Sequence, residues 1–278
     1  LNLLRLTNVS VFGDHDPDSA KPLLDGVTLT ISPGERLNLV GVNGSGKSTL
    51  ARLIAGMYSG WKGGVMERGF AGQAAAPIVL QRPESQLFGE TPREEVQFAL
   101  EWRQVPHEQV GARVKQALEA VGLLPYADAG WASLSGGQKQ LAAIAAAVAS
   151  ESPLIVFDEA TSMLDEINRL KVLKLADTLQ RKGTAVVWVT QRLDELKPDD
   201  RTIALAEGKI RFDGDGRSFL YGQYGETSPC ELCGLRLPYM ATLALAWRSA
   251  GLLSDPLPVT DEEWQEVLGD GQRAATFG

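Results

Sequence analysis

The sequence predicts an α/β fold with a mostly parallel core sheet, an N-terminal antiparallel β part, an inserted helical subdomain and a small C-terminal appendage. Three observations predict it. Residues 41–49 read GVNGSGKST, which fits G-x-x-x-x-G-K-[ST], and they lie between an alternating strand pattern at 36–40 and a helical pattern at 48–54. Two apolar runs, 154–157 and 185–190, are bounded by turn residues in the manner of strands covered on both faces. A helical stripe between them, Leu170, Leu173, Ala176 and Leu179, completes a strand-helix-strand unit.

The glycine-rich segment carries the first chemistry. Its glycines let successive backbone N–H groups turn inward toward phosphate oxygens, Lys47 reaches the β- and γ-phosphates, and Ser48 offers a hydroxyl to Mg²⁺. A glycine-rich turn without a ligand is the plain alternative, and the flanking strand and helix argue against it. Asn43, Gly44, Ser45, Gly46, Lys47, Ser48 and Thr49 are therefore the expected nucleotide-contacting residues.

Composition bounds the rest. The 278 residues suffice for one large domain or a domain plus an appendage, and 44% apolar with 22% charged is ordinary for a globular chain. A net charge of -8, without a basic run, makes nucleic acid a poor partner. The longest apolar run, 141–149, is far short of the roughly 20 residues of a membrane span. The first residues alternate like a strand rather than like a secretion signal, so a cytoplasmic location is expected. Cys230 and Cys233 form a single C-x-x-C, and His15 and His107 lie too far away in sequence to complete a zinc site. Two half-buried thiols is the simplest reading, with a labile disulfide as the alternative.

In chain order, residues 3–12 and 27–31 read as an antiparallel pair separated by a polar loop from Asp14 to Lys21. Phe12 stands ahead of the phosphate loop, either as a ring to stack on adenine or as a core aromatic. Residues 60–72 are glycine-rich, and 76–81 read as a short buried strand that ends at Gln81. From 82 to 150 the pattern turns helical, with Thr91 capping a helix over 92–102 and a second helix over 108–121. Residues 134–138, LSGGQ, precede a further helix, with Ser135 and Gln138 in capping-box spacing, and that helix start is an anion site. The run 154–159, LIVFDE, ends in two carboxylates, Asp158 and Glu159.

Residues 202–205 and 210–212 read as a closing hairpin. Beyond about 223 the α/β rhythm stops. A proline-opened helix over 238–250 and a last helix with Thr260 and Glu263 in capping-box spacing follow, and Leu243, Leu245, Trp247 and Trp264 need covering by the main domain or another subunit. The expected division is a nucleotide-binding domain over 1–222, with its helical insertion at about 82–150, and an extension over 223–278.

Taken together, residues 41–49, Gln81, LSGGQ at 134–138, the strand ending in Asp158 and Glu159, Asp165 and the strand end at Thr190 and Gln191 closely resemble the nucleotide-binding subunits of ABC transporters. The stretch LQRPESQLF at 80–88 and the tail, LP at 237–238 through PVTDEE at 258–263, look most like the ATPase subunits of energy-coupling factor (ECF) importers of vitamins and metal ions. The resemblance implies a P-loop NTPase fold of ABC type with ATP and Mg²⁺ as cofactors. It further implies a head-to-tail dimer, in which each ATP lies between one subunit's phosphate loop and Ser135, Gly136, Gly137 and Gln138 of the other.

By the same resemblance Asp158 helps Ser48 hold Mg²⁺, Glu159 is the general base, Gln81 senses Mg²⁺ and water while linking to a membrane subunit, and Asp165 bridges the dimer. The implied partners are an integral membrane transport subunit, a second ATPase subunit and a separate substrate-binding membrane component. The implied place is the cytoplasmic face of the membrane. One position departs from the pattern: Gln191 stands where the family usually has a His to hold the γ-phosphate. A Gln amide donates a hydrogen bond but does not become cationic, so a slow site is expected. A soluble ABC-type ATPase, such as one serving cluster assembly, and a regulatory nucleotide sensor with little turnover remain the alternatives.

Overall fold

The computed structural model describes residues 2–13, 22–58, 61–223 and 225–275, with 61–62 and 270–275 as backbone only. The expected polar loop from Asp14 to Lys21, and His15 with it, lies outside the described residues. In chain order the elements are β1 (Leu4–Val11), β2 (Leu24–Ile31), β3 (Arg36–Val40), α1 (Lys47–Ala55), β4 (Trp61–Lys62), β5 (Val65–Glu67), β6 (Ile78–Val79), α2 (Pro92–Trp102) and α3 (His107–Ala120). They continue with α4 (Gly136–Ala149), β7 (Leu154–Asp158), α5 (Glu166–Arg181), β8 (Ala185–Val189), β9 (Arg201–Ala206), β10 (Lys209–Asp215), α6 (Gly216–Tyr221), α7 (Pro229–Leu232), α8 (Tyr239–Ser249) and α9 (Asp261–Ala275). The chain forms two units, Leu1–Arg36 with Ser48–Val189, and Leu37–Lys47 with Thr190–Gly278.

In the first unit β1 and β2 pair antiparallel, with Leu4 opposite Ile31 and Leu6 opposite Leu29, all buried. That is the expected pair, and period-2 alternation turns these residues to one face. The opposite edge of β1 takes β4 and β5, so the stretch read only as glycine-rich contributes two short strands. Their brevity hid them, because two or three residues give no readable alternation.

The parallel strands β6, β7 and β8 follow, Ile78 beside Val156 and Val156 beside Val187. Every residue of β7 and β8 is buried, which is why both read as unbroken apolar runs. The rings of Phe157 and Trp188 meet at 5.1 Å. The strand expected over 76–81 is confined to Ile78 and Val79, because the N–H and carbonyl of Leu80 bond to the side chains of Gln86 and Gln140.

Helices α2, α3 and α4 pack on one another, with Val96, Leu100, Val114, Leu118 and Ile144 in one buried cluster with β7 and β8. Thr91 caps α2 by accepting from the N–H of Glu94 at 3.2 Å, as its position predicts. The buried face of α5 is Val172, Ala176 and Leu179. The expected stripe is therefore off at its start, where Leu170 is 45% exposed. Burying Val172 and Leu179 contributes about 1.5–3 kcal/mol each.

In the second unit β3 runs parallel to β9, with Leu39 beside Ile203, and β9 returns through a hairpin into antiparallel β10. Helices α6, α7, α8 and α9 complete it. Trp264 is 4% exposed, in a cluster with Val40, Ala204, Phe219 and Ala244, and Leu243, Leu245 and Trp247 pack against the same cluster. The cover those positions require is thus supplied within this unit. Cys230 and Cys233 are buried free thiols in that cluster, not a disulfide. Burial, with Glu231 and Cys233 nearby, pushes the Cys230 thiol up to about 12, and burial raises Cys233 as well.

Candidate functional site

The phosphate-loop segment begins where β3 ends. Gly41 has φ +149°, and a Cβ there would collide with the Leu205 carbonyl, so only glycine lets the loop leave the strand on this path. The N–H of Ser45 donates to the Val42 carbonyl at 3.2 Å, and the N–H of Gly208 donates to the Ser45 carbonyl at 3.0 Å. These bonds hold the turn. Lys47 is 5% exposed, and its Nζ donates to the carbonyls of Gly41 at 2.8 Å and Val42 at 3.1 Å. Its ammonium is thereby folded back along the loop.

Ser45 Oγ is buried without a hydrogen-bond partner among the described residues. An orphaned hydroxyl inside a glycine turn, beside a constrained ammonium, fits a site made for phosphate oxygens. Asn43 and Gly44 are exposed on the outer side of the turn, and Gly46 and Thr49 are half-buried. At the end of the stretch that follows β8, Gln191 Nε2 donates to Asn43 Oδ1 at 2.7 Å.

Within the first unit Ser48, in the first turn of α1, donates from Oγ to Asp158 Oδ1 at 3.2 Å. Asp158 is the last residue of β7 and is 5% exposed. A hydroxyl and a carboxylate converging on one point are the hard oxygen donors that suit Mg²⁺. The next residue, Glu159, has φ +52°, a left-handed conformation that costs a side-chain-bearing residue about 1–2 kcal/mol. Its N–H donates to the Val189 carbonyl at 3.0 Å, which fixes the turn of chain at the strand end. Strain held at such a place is the signature of a residue that is positioned rather than merely solvated.

The LSGGQ segment forms the capping box its spacing predicts: Ser135 Oγ accepts from the N–H of Gln138 at 3.2 Å, and Gln138 Oε1 accepts from the N–H of Ser135 at 2.9 Å. A Cβ at Gly137 would stand 3.2 Å from the Met163 carbonyl, and one at Gly136 would stand 3.0 Å from the Met163 methyl. The two glycines therefore let this helix start lie against the segment that leads to Asp165. Asp165 is exposed and caps α5, accepting from the N–H and the Nδ2 of Asn168 at 2.8 and 2.9 Å.

Gln81 is exposed just beyond β6. Phe12 is half-buried, and its carbonyl accepts from the Tyr58 hydroxyl at 3.1 Å. The structure thus brings together Ser48 with Asp158, Asn43 with Gln191, and the LSGGQ glycines with the approach to Asp165. Sequence reasoning used Gln86 only as part of the resemblance at 80–88 and passed over Gln140 and Met163; all three hold these segments. For Gln140 a signal existed: it is a polar residue on the face of α4 that otherwise carries alanine, leucine and isoleucine.

A glycine-rich loop between β3 and α1, a buried strand ending in Asp158 and Glu159, and a capped helix start at Ser135 define a nucleotide-binding domain of the phosphate-loop class. The family model for ABC transporters matches residues 24–162. The energy-coupling factor transporter ATP-binding protein EcfA1 of Streptococcus pyogenes serotype M12 is 38% identical over 264 residues, covering 92% of this chain and 93% of the relative. That of Symbiobacterium thermophilum is 36% identical over 262 residues, covering 90% and 89%. The chain belongs to the ABC transporter family, among relatives that are ECF ATP-binding proteins.

Solved structures agree on the fold. The ATP-binding cassette MJ0796, in a dimeric post-hydrolysis state bound to ADP and Pi, superposes with a TM-score of 0.69 at 26% identity, covering 78% of this chain and all of that one, 100%. The cbiO1 protein of Clostridium perfringens, part of the ABC transporter complex cbiONQ, gives 0.65 at 25% identity, covering 86% and 97%.

Proposed function

We propose that this chain is the ATP-binding and hydrolysing subunit that energises an ECF-type membrane importer of a vitamin or metal ion. The observation that carries the reading is the near full-length similarity to ECF ATP-binding proteins, which extends past the family-wide motifs into the tail. No helix among the described residues is long and apolar enough to cross a membrane; in this reading the passage through the membrane belongs to a separate integral subunit. We place the chain at the cytoplasmic face of that membrane, with residues 1–222 as the ATPase domain and 223–278 as its extension.

In this reading residues 43–49 cradle the phosphates, and Lys47 neutralises their charge. Ser48 and Asp158 hold Mg²⁺, with Gln81 as a further contact. When bound, the ion supplies charge neutralisation at the transferred phosphoryl group. Glu159 takes a proton from the attacking water, and Gln191 donates its amide to the γ-phosphate. Ser135, Gly136, Gly137 and Gln138 present a helix start to the ATP held by a second subunit, Asp165 lies at that dimer interface, and Phe12 stacks on adenine. With Gln in place of His the site turns over slowly, which suits pairing with a second, His-bearing ATPase subunit.

The surface for the membrane subunit is the helical part near Glu84. Phe88, Phe98 and Trp102 form a stacked aromatic row there, with centroids 5.5 and 6.3 Å apart, and Phe88 and Trp102 are 74% and 78% exposed. Glu95 Oε2 accepts from the N–H groups of Phe88 and Gly89 at 2.7 and 2.9 Å and fixes the loop that presents Phe88. The test is affinity capture of the full chain from detergent-solubilised membranes. Co-purification with an integral membrane subunit is the expected result, lost when Glu84→Lys is combined with Phe88→Ala. Recovery with soluble partners alone rejects the importer reading.

A further inference from the structure

Helix α4 carries a polar side chain that its packing does not call for. Gln140 is fully buried, in the second turn of the helix that Ser135 caps, beside Leu141 and Ile144. Its Nε2 donates to the carbonyl of Leu80 at 3.0 Å. Gln86 meets the same residue from its other polar group: Gln86 Oε1 accepts from the N–H of Leu80 at 2.9 Å. Two side-chain amides therefore take up both backbone polar groups of the residue immediately before Gln81.

The arrangement costs stability. Among the described residues Gln140 Oε1 and Gln86 Nε2 are buried without hydrogen-bond partners, a penalty at each amide that its bond to Leu80 offsets in part. What the pair does achieve is placement. The Gln81 backbone is tied to the body of α4, whose first turn is the LSGGQ segment, and Lys139 beside Gln140 adds an ion pair to Glu84 at 3.9 Å.

We propose that Gln140 and Gln86 are positioning residues for Gln81: they clamp Leu80 so that the Gln81 side chain and the LSGGQ helix start move as one piece. The role rests on the reading of Gln81 as the residue that senses Mg²⁺ and water. A side chain freed by even about 1 Å from its working position slows chemistry by up to about a hundredfold while leaving ground-state binding almost untouched.

The experiment is a double-mutant cycle on single-turnover ATP hydrolysis by the full chain, with ATP affinity and melting temperature measured alongside. Gln140→Leu lowers the hydrolysis rate about tenfold and keeps ATP affinity within about twofold, while the melting temperature shows that the variant remains folded at the assay temperature. Gln81→Ala also lowers the rate, and adding Gln140→Leu to it produces no further loss. Gln86→Met probes the N–H side of the clamp, repeats the pattern and serves if Gln140→Leu does not fold. A wild-type rate in Gln140→Leu overturns the proposal, as does an equal loss with and without Gln81. If Gln81→Ala itself hydrolyses at the wild-type rate, the reading of Gln81 fails, and the positioning role falls with it.

Discussion

Gln191 Nε2 donates to Asn43 Oδ1 at 2.7 Å, a contact between residues 148 apart in sequence. It places the side chain after β8 directly on the phosphate loop and fixes which end of the amide faces that loop. One N–H of Gln191 is engaged by Asn43, so the amide donates toward the phosphate loop. The side chain remains neutral at every pH at which the protein is folded, so it offers a γ-phosphate a dipole and no charge.

Gln191→His is therefore expected to raise the single-turnover hydrolysis rate by about 30- to 1000-fold, the equivalent of roughly 2–4 kcal/mol for a preorganised charge-assisted donor. Rapid quench with excess enzyme measures it. Equal rates in the two proteins would sink the slow-site reading.

Glu159 holds its left-handed turn at the end of β7, beside Asp158 and Ser48. In the proposed mechanism, replacing it by Gln keeps the size and the Mg²⁺ donors and removes the base. Glu159→Gln should accumulate an ATP-bound dimer, seen by gel filtration in Mg-ATP, because in the proposed sandwich the ligand that joins the subunits would no longer be consumed. A monomer throughout would count against the sandwich.

Much of this was legible in the sequence, for identifiable reasons. The apolar runs of β7 and β8 and the capping box at Ser135 announce themselves because strand burial and helix capping are local demands on residue type. The shortened β6 was not legible, since what ends it is a bond from Gln140, 60 residues away from Leu80. The Asn43–Gln191 contact and the packing of Gly137 on Met163 are likewise long-range, and no periodicity encodes them. The short strands β4 and β5 escaped because pairing to β1, not their own pattern, makes them strands.

A stability prediction follows from Arg36. Its side chain is fully buried, its guanidinium bonds to Asp177 at 2.5 Å, and it stands 5.3 Å from the centroid of the Trp188 ring. Removing one partner of such a pair takes an ion pair from a guanidinium that water does not reach. Asp177→Ala is expected to lower unfolding free energy by about 3 kcal/mol in urea titrations, and Arg36→Leu with Asp177→Leu should recover most of it. A loss under about 0.5 kcal/mol would show that the pair behaves as an exposed surface bridge.

The tail gives a pH dependence. Glu263 accepts from Arg217 at 2.5 Å and from the N–H groups of Val259 and Thr260 at 2.6 and 3.3 Å. Burial alone would raise its pKa, but the Val259 N–H, the Arg217 guanidinium and the Thr260 N–H outweigh burial and hold it below the ordinary 4.5. A carboxylate depressed in the folded state binds fewer protons there than in the unfolded chain. Its stabilisation is thus complete above the ordinary value and is lost as pH falls through the folded one. The stability advantage of the wild type over Glu263→Gln should therefore be constant from pH 8 to about 5 and shrink steadily in more acid solution. Urea midpoints of the two proteins across that range measure it, and because Asp215, also depressed, is common to both, the difference isolates Glu263. A gap that does not change with pH would mean that α9 is held by Trp264 and its neighbours alone, with the Arg217 contact contributing nothing.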